Sequence, residues 1–349
     1  MNTFAARLSG AFRQNRGFYG AIALLSIIYL IYQILHPRGF SPAVLVQNAN
    51  EATAIAFVAM AQTVPVLIGG LDLSVGAVMT LAACIASELV NGSPAQILFG
   101  MFVTLLAGTV FGLANGLIVV YGRLQPIIAT LATGAIAIGL ALYLRPEPGG
   151  DIDGDLNWAL TNSLWDFVDT YRLFDPDAAW FQPIAWIPVP LVLLFGVALI
   201  VWVPFRRSLT GRTIYAIGSA EGAAFMSGLP IARAKIAAFT LAGFFAACAG
   251  LYLAIQQSSG SADIPQSGTY TLNSIAAVVL GGTSLFGGIG GAIGSIIGAF
   301  ILRVISFYFR ILSIDPLLQS LVEGLVLLAA VSLGAIRTLR VKNTLELFR

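Results

Sequence analysis

The residues able to do chemistry are few. One histidine, His36, stands alone, so the chain has neither an HExxH metal site nor a histidine-based nucleophile pair. The only lysines are Lys235 and Lys342, and neither sits in a GxxxxGK[ST] phosphate loop, so ATP hydrolysis by this chain is not expected. The carboxylates of interest are Glu51, Asp72, Glu88 and Glu323. Asp72 stands out, because GGLDLSVGA (69–77) sets it among glycines and a serine where two apolar runs meet. A charge at the centre of a membrane helix costs about 2.5–3.5 kcal/mol on insertion scales. Asp72 therefore has two readings. It caps the helix that follows, accepting from N–H groups near Ser74 and Val75, or it faces a solute path together with Ser74. Cys84 and Cys248 each lie in an apolar run and read as small buried hydrophobes.

The elements that must position these residues are membrane helices. Of 349 residues, 58% are hydrophobic and 10% charged, against about 25% charged in soluble domains. The fold class expected is an all-α polytopic membrane protein with one domain over 1–349. Runs of about twenty apolar residues fall near 18–35, 51–69, 73–91, 96–121, 124–144, 187–204, 233–256, 271–286, 289–309 and 317–336. The eighth and ninth meet at Gly287–Gly288 and count alternatively as one broken element, giving eight to ten spans. The first run continues to about Leu35, so the basic leader (Arg7, Arg13, Arg16) introduces a retained helix, not a cleaved signal.

With an even number of spans, 1–17 and 337–349 are both cytoplasmic. All but five of the eighteen basic residues (Arg38, Arg145, Arg172, Arg303, Arg310) then lie inside. The outer segment 145–186 is acidic and aromatic, with Asp151, Asp153, Asp155, Trp158, Trp165 and Trp180. It reads as a solvated loop with interfacial tryptophans or as a dock for a partner. A net charge of +2 with no basic block excludes nucleic acid as a partner.

Thirty-seven glycines serve two purposes. Gly108, Gly112 and Gly116, and likewise Gly290, Gly294 and Gly298, recur every fourth residue, the spacing that lets helix backbones approach closely in lipid. By contrast, Gly69, Gly70, Asp72, Ser74 and Gly76 in the first cluster, and Gly281, Gly282 and Thr283 within LGGTSLFGGIGG (280–291), predict broken helices, either buried in protein or lining a wet cavity. Gln62, Asn115, Gln125 and Asn273 are uncharged hydrogen-bonding groups suited to a hydroxylated solute. The same groups also serve as glue between helices.

The inner segment 205–235 reads FRRSLTGRTIYAIGSAEGAAFMSGLPIARAK. It predicts a short helix from Ser219 to Ser227, with Ser219 as N-cap, Glu221 in the first turn, and Gly228 and Pro230 ending it. Phe225 and Met226, flanked by alanines, form an apolar knob for a partner's groove or for the membrane surface.

Four segments in order, GGLDLSVGAVMTLAA, ANGLIVVYGRLQPIIATLAT (114–133), GRTIYAIGSAEGAAFMSGL (211–229) and SIAAVVLGGTSLFGGIGGAIGSIIGA (274–299), resemble the membrane permease of ribose-type sugar ABC importers. The resemblance runs from about residue 50 to 335. It implies a type II importer fold, a second permease chain (identical or different), two cytoplasmic ATPases that carry ATP and Mg, and a periplasmic sugar-binding protein. This chain itself would bind no cofactor. The resemblance also implies that 218–228 is the coupling helix, with Gly218, Ser219, Ala220, Glu221, Ala224, Phe225, Met226 and Gly228 facing the ATPase. One departure is that Ser219-Ala220 stands where the family commonly has Gly-Asn before the glutamate. The rival readings are an ion-coupled secondary transporter and a passive facilitator. Ion coupling needs ionisable groups at mid-membrane, and of the four carboxylates only Glu323 falls away from a span end.

Overall fold

The computed structural model describes residues 16–315 and scattered helical positions between 318 and 332. Glu323, the termini 1–15 and 337–349, and most of the predicted last span lie outside the described residues.

All regular structure among the described residues is helical. In order the helices are α1 (Arg16–Leu35), α2 (Pro42–Leu67), α3 (Val75–Leu89), α4 (Pro94–Tyr121), α5 (Pro126–Leu144), α6 (Gly154–Thr161), α7 (Leu164–Tyr171), α8 (Gln182–Ala185), α9 (Val189–Val197), α10 (Val203–Arg207), α11 (Leu209–Met226), α12 (Ile231–Gln257), α13 (Ile264–Leu280) and α14 (Ala292–Ile311). A π-helical segment, Ala198–Trp202, joins α9 to α10. It lies just before Pro204, which has no N–H to donate and whose ring crowds the preceding turn, and the wider π turn relieves both. Among the described residues, seven helices are long and apolar enough to cross a membrane: α1, α2, α4, α5, the continuous 189–207 span, α12 and α14. The chain is thus an all-α polytopic membrane protein. The 15-residue α3 and 17-residue α13 are the shorter members of the bundle.

Two starts differ from the sequence expectation because polar residues precede the apolar runs. α2 begins at Pro42, not 51, where Ser41 accepts from the Val44 N–H at 3.3 Å. α13 begins at Ile264, not 271, where Asp263 accepts from the Gln266 N–H at 3.0 Å with Pro265 in the first turn. The predicted eighth and ninth spans are separate helices, α13 and α14, joined by residues 281–291.

The inner helices are α2, α12 and α14, with 67%, 72% and 67% of their apolar windows buried, against 17–33% for the outer ones. α12 lies along α4, α2 and α3, and α14 along α13, α2 and α1. The α4–α12 contact is glycine-built: a Cβ at Gly112 would lie 2.3 Å from the Phe239 carbonyl oxygen and 2.9 Å from Gly243 Cα. The second glycine series is only partly a packing face. Gly294 and Gly298 pack on Gly281 and Ala277 of α13, but Gly290 lies ahead of α14 in a loop at φ +119°.

The bundle has two distinct ends. Near one, Asn50 of α2 donates to the Thr161 carbonyl at 3.1 Å, docking the 145–188 segment. That segment contains α6 to α8, with Leu156, Leu160 and Ile152 in a core cluster and Trp158 and Trp180 exposed. Leu67, seventeen residues further along α2, lies about 25 Å away at 1.5 Å per residue and meets the 205–235 segment.

Candidate coupling and gating site

The two glycine-rich breaks, 69–77 and 280–291, meet in space. α2 ends after Pro65, with Gly69 at φ +76°, and α13 ends at Gly281, followed by Gly282, Gly287 and Gly288 at φ +83°, +86° and +74°. The Gly288 N–H donates to the Leu67 carbonyl at 3.0 Å, one of the carbonyls a helix end leaves unpaired. This bond ties one break to the other.

The 205–235 segment seats on that junction. A Cβ at Gly218 would lie 2.0 Å from the Leu67 carbonyl oxygen and 2.3 Å from the Gly288 nitrogen, so only glycine lets the three backbones touch. The Tyr215 hydroxyl, one turn earlier, donates to the Gly290 carbonyl at 2.7 Å. Burial raises the Tyr215 pKa above its ordinary value, with Arg206 opposing. Sequence reasoning passed over Tyr215; its signal was an aromatic alone among small residues.

The helix expected over Ser219–Ser227 differs from that expectation. α11 starts at Leu209, where Ser208 accepts from the Gly211 N–H at 3.1 Å. Ser219 is not an N-cap, since its hydroxyl donates back to the Tyr215 carbonyl at 2.9 Å. The helix instead kinks at Ala220, which has the extended φ −163°, ψ 96° of a cap position but no side chain to cap with. Beyond the kink, Glu221 pairs with Lys235 at 2.6 Å, Ala224 is buried, and Phe225 and Met226 are 72% and 84% exposed. Gly228, at φ +73°, closes the segment.

Asp72 meets part of the capping expectation: it accepts from the Ser74 N–H, but Ser74 is itself the residue before α3, so no N–H inside the helix is capped. Asp72 is buried, and its Oδ1 accepts from the Ser74 N–H at 2.8 Å and the Ser74 hydroxyl at 2.5 Å, a tight Asx turn just outside the helix. The first-turn Gly76 N–H goes to Thr271 Oγ1 of α13 at 3.2 Å. A Cβ at Gly76 would lie 2.1 Å from the Ser267 carbonyl oxygen, so α3 and α13 touch there. Ser74 Oγ in turn accepts from Asn115 Nδ2 at 2.9 Å, and Asn115 Oδ1 from Thr133 Oγ1 at 2.5 Å. This buried relay binds α3, α4 and α5 around the break. Gly70, alongside, would place a Cβ 3.2 Å from the Pro126 ring. In the second break, Gly281 meets Gly294 of α14, Gly282 meets Gly17 of α1, and buried Thr283 accepts from the Gly291 N–H at 3.2 Å.

The polar residues read as suited to a solute scatter. Asn115 is fully engaged in the relay, and Gln125 is exposed ahead of α5. Gln62 is fully buried in α2, with neither amide atom hydrogen-bonded. Asn273 is half-buried on α13, beside exposed Gly268, Thr269 and Leu272. The sequence reading also missed four buried atoms without hydrogen-bond partners, Tyr29 OH, Gln33 Oε1, Asn48 Nδ2 and Arg303 Nε, on α1, α2 and α14. Two carboxylates weighed for ion coupling are ion-paired: Glu51 with Arg310 at 2.5 Å and Glu88 with Arg145 at 2.5 Å.

Comparison with known proteins places this architecture. The family model described as "Branched-chain amino acid transport system / permease component" matches residues 44–331. The chain belongs to that permease family. It is 33% identical over 320 residues to the ribose import permease protein RbsC of Haemophilus influenzae, covering 91% of this chain and 92% of that protein. It is 33% identical over 309 residues to the Bacillus subtilis RbsC, covering 88% and 90%. It is 30% identical over 317 residues to the D-allose transport system permease protein AlsC of Escherichia coli, covering 90% of each. No solved structure matches the chain. The ribose-type resemblance read from the four sequence segments therefore stands, and the chain is a multi-pass membrane permease of the ribose-type sugar ABC importer kind.

Proposed function

We propose that this permease is the membrane-spanning subunit of an ATP-driven importer that carries ribose or a related monosaccharide or polyol across the bacterial inner membrane. Both termini and the 205–235 segment face the cytoplasm, and 145–186 faces the periplasm. Two permease chains stand side by side, with ATPases on the 218–228 helices and a sugar-binding protein on the opposite face. ATP and Mg belong to the ATPases, and this chain binds no cofactor. The observation that carries the reading is the seating of Gly218 on both glycine-rich breaks, Leu67 on one side and Gly288 on the other.

A partner that buries Phe225 and Met226 gains a grip on α11. Closure of the ATPases then moves Gly218 and Tyr215, and with them the junction between the α2–α3 and α13–α14 turns. Both helix pairs shift together, which swaps access from one side to the other. α13, with Gly268, Thr269 and Asn273 outward, offers hydroxylated solutes a surface less apolar than α4 or α5. The ion pairing of Glu51 and Glu88 leaves neither as a free carrier of a coupling ion, which speaks against gradient-driven transport.

The test is uptake of labelled ribose, allose and fructose by cells expressing the complete system. Uptake is expected to persist when ion gradients are collapsed with ATP maintained by fermentation, and to stop on ATP depletion. Uptake that follows a proton or sodium gradient, or that equilibrates without energy, contradicts the proposal.

A further inference from the structure

One cavity is used by none of the steps above. It lies where α10 passes into α11, has a volume of about 590 Å³, and is walled by Trp202, Val203, Arg206, Arg207, Arg212 and Ile293. Three guanidiniums share it, and among the described residues none of them enters an ion pair, whereas Arg145, Lys235 and Arg310 each hold a carboxylate. The shortage is built into the sequence: between Asp177 and Asp263 the single acidic residue is Glu221, which is taken by Lys235. Arg206 stacks over the Tyr215 ring at 5.5 Å, which orients its guanidinium without neutralising it. Clustered positive charge of this kind is relieved by an anion, and a guanidinium fork matches phosphate oxygens bidentately.

The surroundings decide which anion. Trp202 is buried at the cavity's wall and Ile293 lies in the first turn of α14 beside it. Leu199 and Ile200 precede the lining residue Val203 by four and three residues, which puts them on its side of the same apolar span, and they are 61% and 77% exposed. A ligand that fits both features has an anionic head and an apolar body. A basic pocket at a helix end near the membrane surface is the arrangement that holds acidic lipid headgroups.

We propose that this cavity binds the headgroup phosphate of an anionic phospholipid, with Arg206 and Arg207 of α10 and Arg212 of α11 gripping it and the acyl chains lying along Leu199 and Ile200. Such a lipid bridges the end of a membrane span to the first turn of α11. It thereby fixes the start of the segment whose next turn carries Tyr215, which donates to Gly290.

The experiment is native mass spectrometry of the full chain in mild detergent, titrated with phosphatidylglycerol or phosphatidylcholine, with and without excess inorganic phosphate. Phosphatidylglycerol is expected to be retained saturably, with about tenfold preference over phosphatidylcholine, and to withstand inorganic phosphate. The preference is expected to vanish in Arg206→Gln/Arg207→Gln/Arg212→Gln and to fall by at least about threefold in the corresponding triple lysine variant, which keeps the charge but loses the fork. If the glutamine variant does not fold, the lysine variant decides. Arg123→Gln, outside the cavity, is expected to retain the lipid as wild type does. Equal retention of both lipids, unchanged retention in the lysine variant, or equal loss in Arg123→Gln overturns the proposal. Displacement by inorganic phosphate overturns it in favour of a free-anion site.

Discussion

At the scale of single residues, the account turns on backbone contacts that only glycine permits and on one cap that is missing. Gly218→Ala drives a Cβ into Leu67 and Gly288, whereas Gly222, four residues on, has open space around it. Gly218→Ala is therefore expected to abolish most transport at normal membrane abundance, with Gly222→Ala unaffected; equal activity of the two variants contradicts the seating. The kink at Ala220 makes the opposite kind of prediction. Ala220→Asn supplies a side-chain acceptor at a cap geometry and is expected to stabilise residues 221–226 by about 1 kcal/mol. Amide exchange at 222–224 should slow by about fivefold, and unchanged exchange would show that the kink is not a cap. The end of the 205–235 helical segment was legible in the sequence, because the Gly228–Pro230 stop punctuates it. Its cap was not. Ser219 and Ser208 are the same residue type before similar runs, and only the three-dimensional path shows that Ser208 caps while Ser219 bonds backward to Tyr215.

At the scale of elements, close helix pairs and the buried relay hold the bundle. Without a hydrophobic drive between helices in lipid, the α4–α12 contact depends on backbone approach and dispersion. Gly112→Ala is expected to cost about 1–3 kcal/mol by forcing the helices apart, while Gly139→Ala on the open face of α5 leaves the Tm unchanged or raises it. Thermal unfolding in detergent distinguishes these outcomes. Asn115→Leu removes the middle of the Ser74–Asn115–Thr133 relay and is expected to cost about 0.6–1.7 kcal/mol; a stabilised Asn115→Leu would make the relay dispensable. The fourfold glycine spacing announced the α4 contact in advance, because the period is a property of one helix. Asn115 was read as suited to a solute because a polar residue in a span looks alike whether it faces a path or a neighbouring helix. Its partners lie 41 and 18 residues away, which no local pattern encodes.

At the scale of the whole molecule, the fold brings the two breaks to a single junction under α11. Sequence resemblance pointed to each stretch separately. Their contact arises from the paths of α2 and α13, which end side by side, and so appears only in the fold. The proposed orientation predicts that a cysteine at Asp155 reacts with an impermeant thiol reagent added outside intact cells, while one at Phe225 reacts only after permeabilisation. Both native cysteines are buried and give little background. Labelling from the same side would contradict the arrangement. Whether a separate ATPase grips the 218–228 helix is decided by gentle pull-down of the tagged chain from its native membrane, comparing wild type with Glu221→Ala/Phe225→Ala. A P-loop ATPase that co-purifies with wild type and is lost from the double variant is the predicted result. Absence of any ATPase from the wild-type sample after mild crosslinking, or its undiminished recovery with the double variant, would contradict the proposal.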